Sequence, residues 1–231
     1  MPVLLLPFGQ NRKTWGVYHF ADTSWYTVKN REKGENAMEQ TQIAAAKAAL
    51  RREARIQAAA LSADYRRAAS DAIAARLLAD ERWQRAESVF LFVSMPTEPD
   101  TAPLFAAAFA AGKAVYVPKC GRRPAMQAVR IRSLGELAPG ILGIPEPVDC
   151  GETADAAALG LIVVPCVAAA ADGRRLGHGG AYYDAFLQDG GGETVCLCFS
   201  ALLREDIPVT PRDVRMDDVL TEHGFCRAAG R

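Results

Sequence analysis

Three short, almost unbroken apolar runs constrain this chain more than any other feature. They are Glu-Ser-Val-Phe-Leu-Phe-Val at 87–93, Leu-Ile-Val-Val at 161–164 and Thr-Val-Cys-Leu-Cys-Phe at 194–199. A strand with one wet face alternates apolar and polar residues; a strand apolar at nearly every position is covered on both faces. Between the runs lie segments of helical character. Residues 41–60 are built from Ala, Lys, Arg, Glu and Gln without Gly or Pro, which favours a helix. Ser62 and Asp64 suit the start of a second helix that runs to about Ala79, with Ile73, Leu77 and Leu78 as its apolar stripe. Residues 104–111 read as a helix stopping at Gly112, and 182–187 as the start of another. Strands are also expected at 114–117, ended by Pro118, and at 125–131, while the prolines and glycines of 139–147 demand irregular structure. The run at 194–199 reads as the last strong strand, and Gly190 to Gly192 as a flexible loop. Strand and helix in alternation imply an α/β fold: a layered, Rossmann-like domain with a largely parallel central sheet flanked by helices. In such folds ligands bind beyond the carboxyl ends of the strands, here after Val93 and after Val164.

Half of the 231 residues are apolar, enough for one sizeable core. Lys and Arg number 27 and Asp and Glu 27, so no generally basic face for nucleic acid is expected. No apolar run approaches the roughly 20 residues of a membrane-spanning helix. Cys120, Cys150, Cys166, Cys196, Cys198 and Cys226 form no Cys-x-x-Cys pair, and they read as buried or free thiols in a reducing, cytoplasmic protein. Residues 1–39 differ from the remainder. They hold Trp15, Tyr18, Trp25 and Tyr26 but no sustained period, and read as a poorly ordered appendage ahead of a single domain over 40–226. Two alternatives stand beside that reading: a start at Met38, or an aromatic arm that docks a partner.

The segment with most chemical potential is 172–184. It follows a buried strand, enters a helix, and carries four glycines around Arg174, Arg175 and His178. Glycines let backbone N–H groups approach an anion, and a helix start adds a favourable dipole. The segment lacks both the Walker Gly-Lys-Ser/Thr and the Gly-x-Gly-x-x-Gly spacing, so a phosphate cradle and a plain surface turn both fit. Lys47 and Arg51, four apart, share one helix face, where a bound anion would relieve their repulsion; with Arg52 and Arg55 close by, an ordinary solvated face fits as well. Glu98, between Pro96 and Pro99, can hold an N–H-rich heterocycle or a metal, and a plain solvated loop carboxylate fits the same position. Asp184, Asp213, Asp217 and Asp218 complete the acidic set, and a hard ion such as Mg²⁺ would suit one or two of them beside phosphate oxygens.

Taken together and in order, these pieces resemble the 5-formyltetrahydrofolate cyclo-ligase family. The matching strings are Lys47-Ala-Ala-Leu-Arg51, Ser94-Met-Pro-Thr-Glu98, Tyr116-Val-Pro-Lys119, Gly143-Ile-Pro-Glu-Pro147, Val164-Pro165, Arg175-Leu-Gly-His-Gly-Gly-Ala-Tyr-Tyr-Asp184 and Asp213-Val-Arg-Met-Asp217. The resemblance covers about 44–220. It implies an ATP-dependent, Mg²⁺-requiring ligase of folate one-carbon metabolism that acts on 5-formyltetrahydrofolate, as a cytoplasmic monomer without nucleic-acid or membrane partners. It implies that Lys47, Arg51, Arg175, Leu176, Gly177, His178, Gly179, Gly180, Ala181, Tyr182 and Tyr183 bind the nucleotide. It further implies that Arg51, Val93, Glu98, His178 and Tyr182 contact the folate, that Arg175 and Tyr183 act in catalysis, and that Asp184 and Asp213 hold the metal. Two departures stand out. The family's aromatic and Asp after the strand-ending proline fall on Ala169 and Ala170, with Asp172 two residues on. The family's third loop glycine is Ala181, which costs about 1 kcal/mol if the position requires φ > 0. The departures leave a second reading, a paralogue that binds nucleotide or folate without the reaction.

Overall fold

A computed structural model describes residues 23–140 and 143–227. The chain divides into two compact units, Met1–Gln42 and Ile43–Arg231. Most of the expected appendage, Trp15 and Tyr18 included, lies outside the described residues. The first helix, α1 (Thr23–Ala60), begins earlier than the expected 41. Helix α2 (Ala63–Ala79) starts where Ser62 Oγ accepts the Tyr65 N–H at 3.1 Å. A short α3 (Glu81–Arg85), capped by Asp80, was not legible and leads into β1 (Ser88–Phe90). Then come α4 (Ala102–Ala110), β2 (Ala114–Cys120), β3 (Met126–Ile131), β4 (Leu137–Pro139), β5 (Pro145–Pro147) and β6 (Thr153–Ala154). The second half holds β7 (Leu161–Val164), β8 (Ala168–Ala169), β9 (Arg175–Leu176), α5 (Tyr182–Leu187), β10 (Glu193–Leu197), β11 (Asp218–Thr221) and β12 (Gly224–Arg227).

Eight strands form one sheet in the order β12-β11-β10-β7-β1-β2-β3-β6. The five central strands from β11 to β2 are parallel, and β12, β3 and β6 add antiparallel edges. The apolar runs occupy the middle, as double burial requires: Val89, Phe90, Leu161 to Val164 and Val195 to Leu197 are all inaccessible. Phe90 stacks on Phe186 of α5 at 5.3 Å, which seats that helix on one face.

Four expectations are corrected. Pro118 does not end β2. The Tyr116 carbonyl accepts the Leu91 N–H, so positions 116 and 118 face β1; that strand ends opposite Tyr116, and the missing proline N–H falls where no partner strand remains. The 139–147 segment contains a small β4–β5 hairpin. Two strands follow 194–199, because the β11–β12 hairpin extends the sheet beyond β10. The 190–192 stretch is a packing device, since a Cβ on Gly192 would lie 1.8 Å from the Leu159 carbonyl oxygen.

Polar side chains bolt the sheet edge to the helices. Arg82 donates to Asp80 Oδ1 at 2.7 Å and to Asp218 of β11, and its guanidinium lies 4.7 Å from the Phe225 ring centre. Burial alone would lower the Arg82 pKa, but the two carboxylates outweigh it and raise the value. Glu222 accepts from Tyr65 Oη and Ser200 Oγ, both at 2.5 Å, and from the Ser200 N–H at 3.0 Å. Burial pushes its carboxyl up, the donors outweigh this, and the net shift is below the ordinary value of 4.5.

That depressed pKa makes stability depend on pH with a definite sign. The contribution is present above the ordinary glutamate value and is lost as pH falls through the lower folded value. Glu222→Gln is therefore expected to be less stable than the native chain at pH 7, with the gap narrowing steadily below about pH 4.5. Urea melts at a series of pH values measure this; a gap that stays constant into acid would count against it.

Candidate active site

The loops leaving β1, β2 and β7, a face of α1 and the 210–217 segment converge on the glycine-rich turn. The β8–β9 pair shapes its entry. The Ala170 N–H donates to the Arg174 carbonyl at 2.8 Å and the Gly173 N–H to the Ala170 carbonyl at 3.0 Å. Gly173 has φ +86°, and a Cβ there would meet the Met216 carbonyl oxygen at 2.2 Å. Only glycine allows the 213–217 segment to dock this closely, where the Met216 N–H donates to the Gly173 carbonyl at 2.9 Å. The short β9 lies inside the glycine-rich 172–184 segment, where no local signal marks a strand.

Just after β9, three consecutive backbone carbonyls each meet an arginine, two from α1 and one from the β2–β3 hairpin. Arg51 Nε donates to the Gly177 carbonyl at 2.8 Å, Arg55 to that of His178 at 3.4 Å, and Arg123, on the β2–β3 hairpin, to that of Gly179. Burial and the adjacent Arg55 pull the Arg51 pKa below the ordinary guanidinium value, with Asp213 and Asp184 opposing. Lys47, one turn before Arg51, donates to Asp213 Oδ2 at 2.5 Å. The Thr210 N–H (2.5 Å) and Oγ1 (2.9 Å) reach the same oxygen. Burial raises the Asp213 carboxyl, but these donors outweigh it and hold the pKa below the ordinary value.

Arg175 is almost wholly buried. It donates to Asp184 Oδ1 at 2.9 Å, and its guanidinium lies 5.7 Å from the Tyr183 ring centre. The Val214 N–H reaches the same Asp184 oxygen at 3.2 Å. Among the described residues, Arg175 Nε and Tyr183 Oη are buried polar atoms without a hydrogen-bond partner. An unmet buried donor costs about 1–3 kcal/mol, so the pair marks where a polar ligand is expected. Burial, with Glu98 second, raises the Tyr183 pKa well above that of an ordinary phenol, which suits a neutral donor and not a base.

Glu98 sits in a turn fixed by Ser94 and Thr101. Ser94 Oγ donates to the Pro99 carbonyl at 2.9 Å, and Thr101 Oγ1 to that of Phe92 at 2.8 Å. Glu98 Oε2 accepts the Met95 N–H at 2.8 Å, and Oε1 lies 3.0 Å from His178 Nε2. Val93, half-buried, packs against the core beside this turn.

The structure thus gathers Lys47, Arg51, Glu98, Arg175, Gly177, His178, Gly179, Tyr183, Asp184 and Asp213. Leu176 differs: its side chain is buried in a small apolar cluster with Leu50, Ala54, Val167, Ala170 and Ile207, so only its backbone can serve a ligand. Ala169 and Ala170 are buried too, and Asp172 is committed to Arg174 at 2.8 Å and Arg215 at 3.2 Å. Sequence reasoning missed Arg123 and the pairing of Arg175 with Asp184. Neither has a local signal, since hairpin and loop meet only on folding. The expected dipole at the start of α5 is minor, because that helix has six residues and the arginines bring the charge.

Among the described residues no group of three or more His, Cys, Asp or Glu is placed to hold a metal. Mg²⁺ needs only one or two carboxylates when phosphate oxygens and water complete its shell. The hydrogen bonds of Asp184 fall on Oδ1 and those of Asp213 on Oδ2, which leaves the second oxygen of each for such an ion. No helix among the described residues is long and apolar enough to cross a membrane.

Comparison with known proteins points to one family. The model of the 5-formyltetrahydrofolate cyclo-ligase family matches residues 43–222. A 5-formyltetrahydrofolate cyclo-ligase of Mus musculus is 29% identical over 198 residues, covering 78% of this chain and 95% of its own length. That of Escherichia coli (strain K12) is 32% identical over 142 residues, covering 59% and 78%. A 5,10-methenyltetrahydrofolate synthetase structure from Aquifex aeolicus superposes with a TM-score of 0.70 at 30% identity, covering 80% of this chain and 94% of that one.

Ala181, at the start of α5, has φ 57° and ψ 16°, the left-handed region, and is the one non-glycine residue with positive φ among those described. Ala181→Gly is expected to raise stability by about 1 kcal/mol, relief of strain exceeding the lost chain stiffness. Chemical denaturation of the two forms tests this, and a less stable glycine variant would contradict it.

Proposed function

The chain belongs to the 5-formyltetrahydrofolate cyclo-ligase family, and from that premise we propose that it converts 5-formyltetrahydrofolate and ATP to 5,10-methenyltetrahydrofolate, ADP and phosphate. The observation that carries this reading is an excess of positive charge at the turn. Lys47, Arg51, Arg55, Arg123 and Arg175 meet there, while Asp184, Asp213 and Glu98 supply the carboxylates. Three of those cations face backbone carbonyls, which satisfy a hydrogen bond but neutralise no charge. A polyphosphate supplies the missing negative charge, and its oxygens suit the unmet Arg175 Nε and Tyr183 Oη.

In this reading Lys47, Arg51 and Arg175 grip the phosphates, with the backbone of 176–181 and the rings of Tyr182 and Tyr183 around the nucleotide. Val93 and Glu98 hold the pterin, and Arg51, His178 and Tyr182 lie between the two ligands. The N5-formyl oxygen attacks the γ-phosphorus, the bond to the leaving ADP oxygen breaks, and the formyl carbon becomes electrophilic. N10 attacks that carbon, the C–O bond breaks with release of phosphate, and N10 loses its proton. Arg175 and Tyr183 stabilise the charge that moves onto the transferred group, and the fixed turn keeps the reacting atoms together. Asp184 and Asp213 would hold Mg²⁺, whose charge would further neutralise the phosphate oxygens. The activity belongs to one domain over 40–226, with 1–39 as an appendage; six free thiols suit a reducing cytoplasm, and the working form is a monomer.

A second reading, a paralogue that binds without turnover, rests on Ala169 and Ala170. Purified protein with 5-formyltetrahydrofolate, Mg²⁺ and ATP is expected to develop the near-ultraviolet absorbance of the methenyl product, with one ADP per product. A flat trace from folded, ATP-binding protein would establish the paralogue. Arg175→Lys, which keeps the charge but loses the fork, is expected to weaken ATP binding at least about tenfold. Unchanged nucleotide affinity would remove Arg175 from the phosphate site.

A further inference from the structure

The contact between His178 and Glu98 joins two parts of the site that have no other reason to move together. His178 belongs to the turn assigned to nucleotide, and Glu98 to the turn assigned to pterin. A carboxylate oxygen accepts, so His178 Nε2 is the donor to Glu98 Oε1, at 3.0 Å. The Glu98 side chain is only 6% exposed, and its other oxygen takes the Met95 N–H. Each carboxylate oxygen has two lone pairs, so Glu98 can accept from His178 and from a pterin N–H at once.

The position of the His178 ring depends in turn on the arginines. Glycines flank it on both sides, so the local backbone is soft unless held. Arg51, Arg55 and Arg123 hold the carbonyls of 177, 178 and 179. A guanidinium has five donors and can keep a carbonyl while it binds a phosphate oxygen. Phosphate bound by Arg51 would immobilise its guanidinium, and through it the turn and the ring that orients Glu98.

We propose that His178 is a positioning residue that acts through Glu98, so that nucleotide and reduced pterin bind with positive cooperativity. This rests on the assignment of the two ligands made above. The coupling is reciprocal: each ligand tightens the other by the same factor.

Calorimetric titration of the full chain with 5-formyltetrahydrofolate, with and without a non-hydrolysable ATP analogue and Mg²⁺, measures it. The analogue is expected to tighten folate binding about fivefold in the native chain, the scale of one hydrogen bond. His178→Ala is expected to bind each ligand alone, more weakly than the native chain, and to lose the tightening, and His178→Gln, whose amide can donate, to restore it. Tightening that survives in His178→Ala, or that His178→Gln fails to restore, would overturn the proposal. So would loss of analogue binding in His178→Ala, which would put His178 on the nucleotide itself. A native chain that binds both ligands independently also overturns it while leaving the proposed reaction intact. A native chain that binds neither ligand overturns the reading of function, and this proposal with it.

Discussion

Arginine side chains on backbone carbonyls are the interaction that holds the site in shape. The turn at 177–179 has no side chains of its own to pack except that of His178, and its glycines supply no stiffness. Its order comes from Arg51 and Arg55 on α1 and Arg123 on the β2–β3 hairpin. A helix, a hairpin and a loop thus meet at three consecutive peptide groups. The arrangement brings more cationic side chains than carboxylates to the turn, and that surplus suits the proposed polyphosphate better than a purely structural ion-pair cluster does. Arg82 shows the contrast: with Asp80 and Asp218 on it, its charge is matched, and it works as a bolt between α3 and β11.

The departures from the family pattern have different physical consequences. Ala181 keeps the left-handed backbone that the turn requires and bears the strain of its methyl group there. Ala169 and Ala170 are accommodated by packing. Ala170 lies among Leu50, Ala54 and Ile207, and Ala169 is fully buried against the main core. Asp172 does not stand in for a carboxylate at 170, because Arg174 and Arg215 engage it.

Much of the fold was legible because the local signals agreed with the global arrangement. Runs apolar at nearly every position became β1, β7 and β10 at the centre of the sheet, and Pro165 and Gly112 closed their elements near the expected places. The failures share a cause. β2 runs through Pro118 because β1 ends first, Gly192 is pinned by Leu159, and β4, β5 and β9 exist only because a partner segment reaches them. Pairing partners are distant in sequence, so no local window reports them.

The linear chain already carried the layered α/β class, the four-residue spacing that puts Lys47 and Arg51 on one helix face, and the string from Arg175 to Asp184 that marks the site. Periodicity and residue type are local properties, and they can be read without any fold. Folding alone settled that Arg175 bonds Asp184, that Leu176 turns into the core, that Arg123 reaches the glycine turn and that His178 touches Glu98. His178 and Glu98 stand 80 positions apart, and such contacts exist only once the sheet has brought its loops to one end.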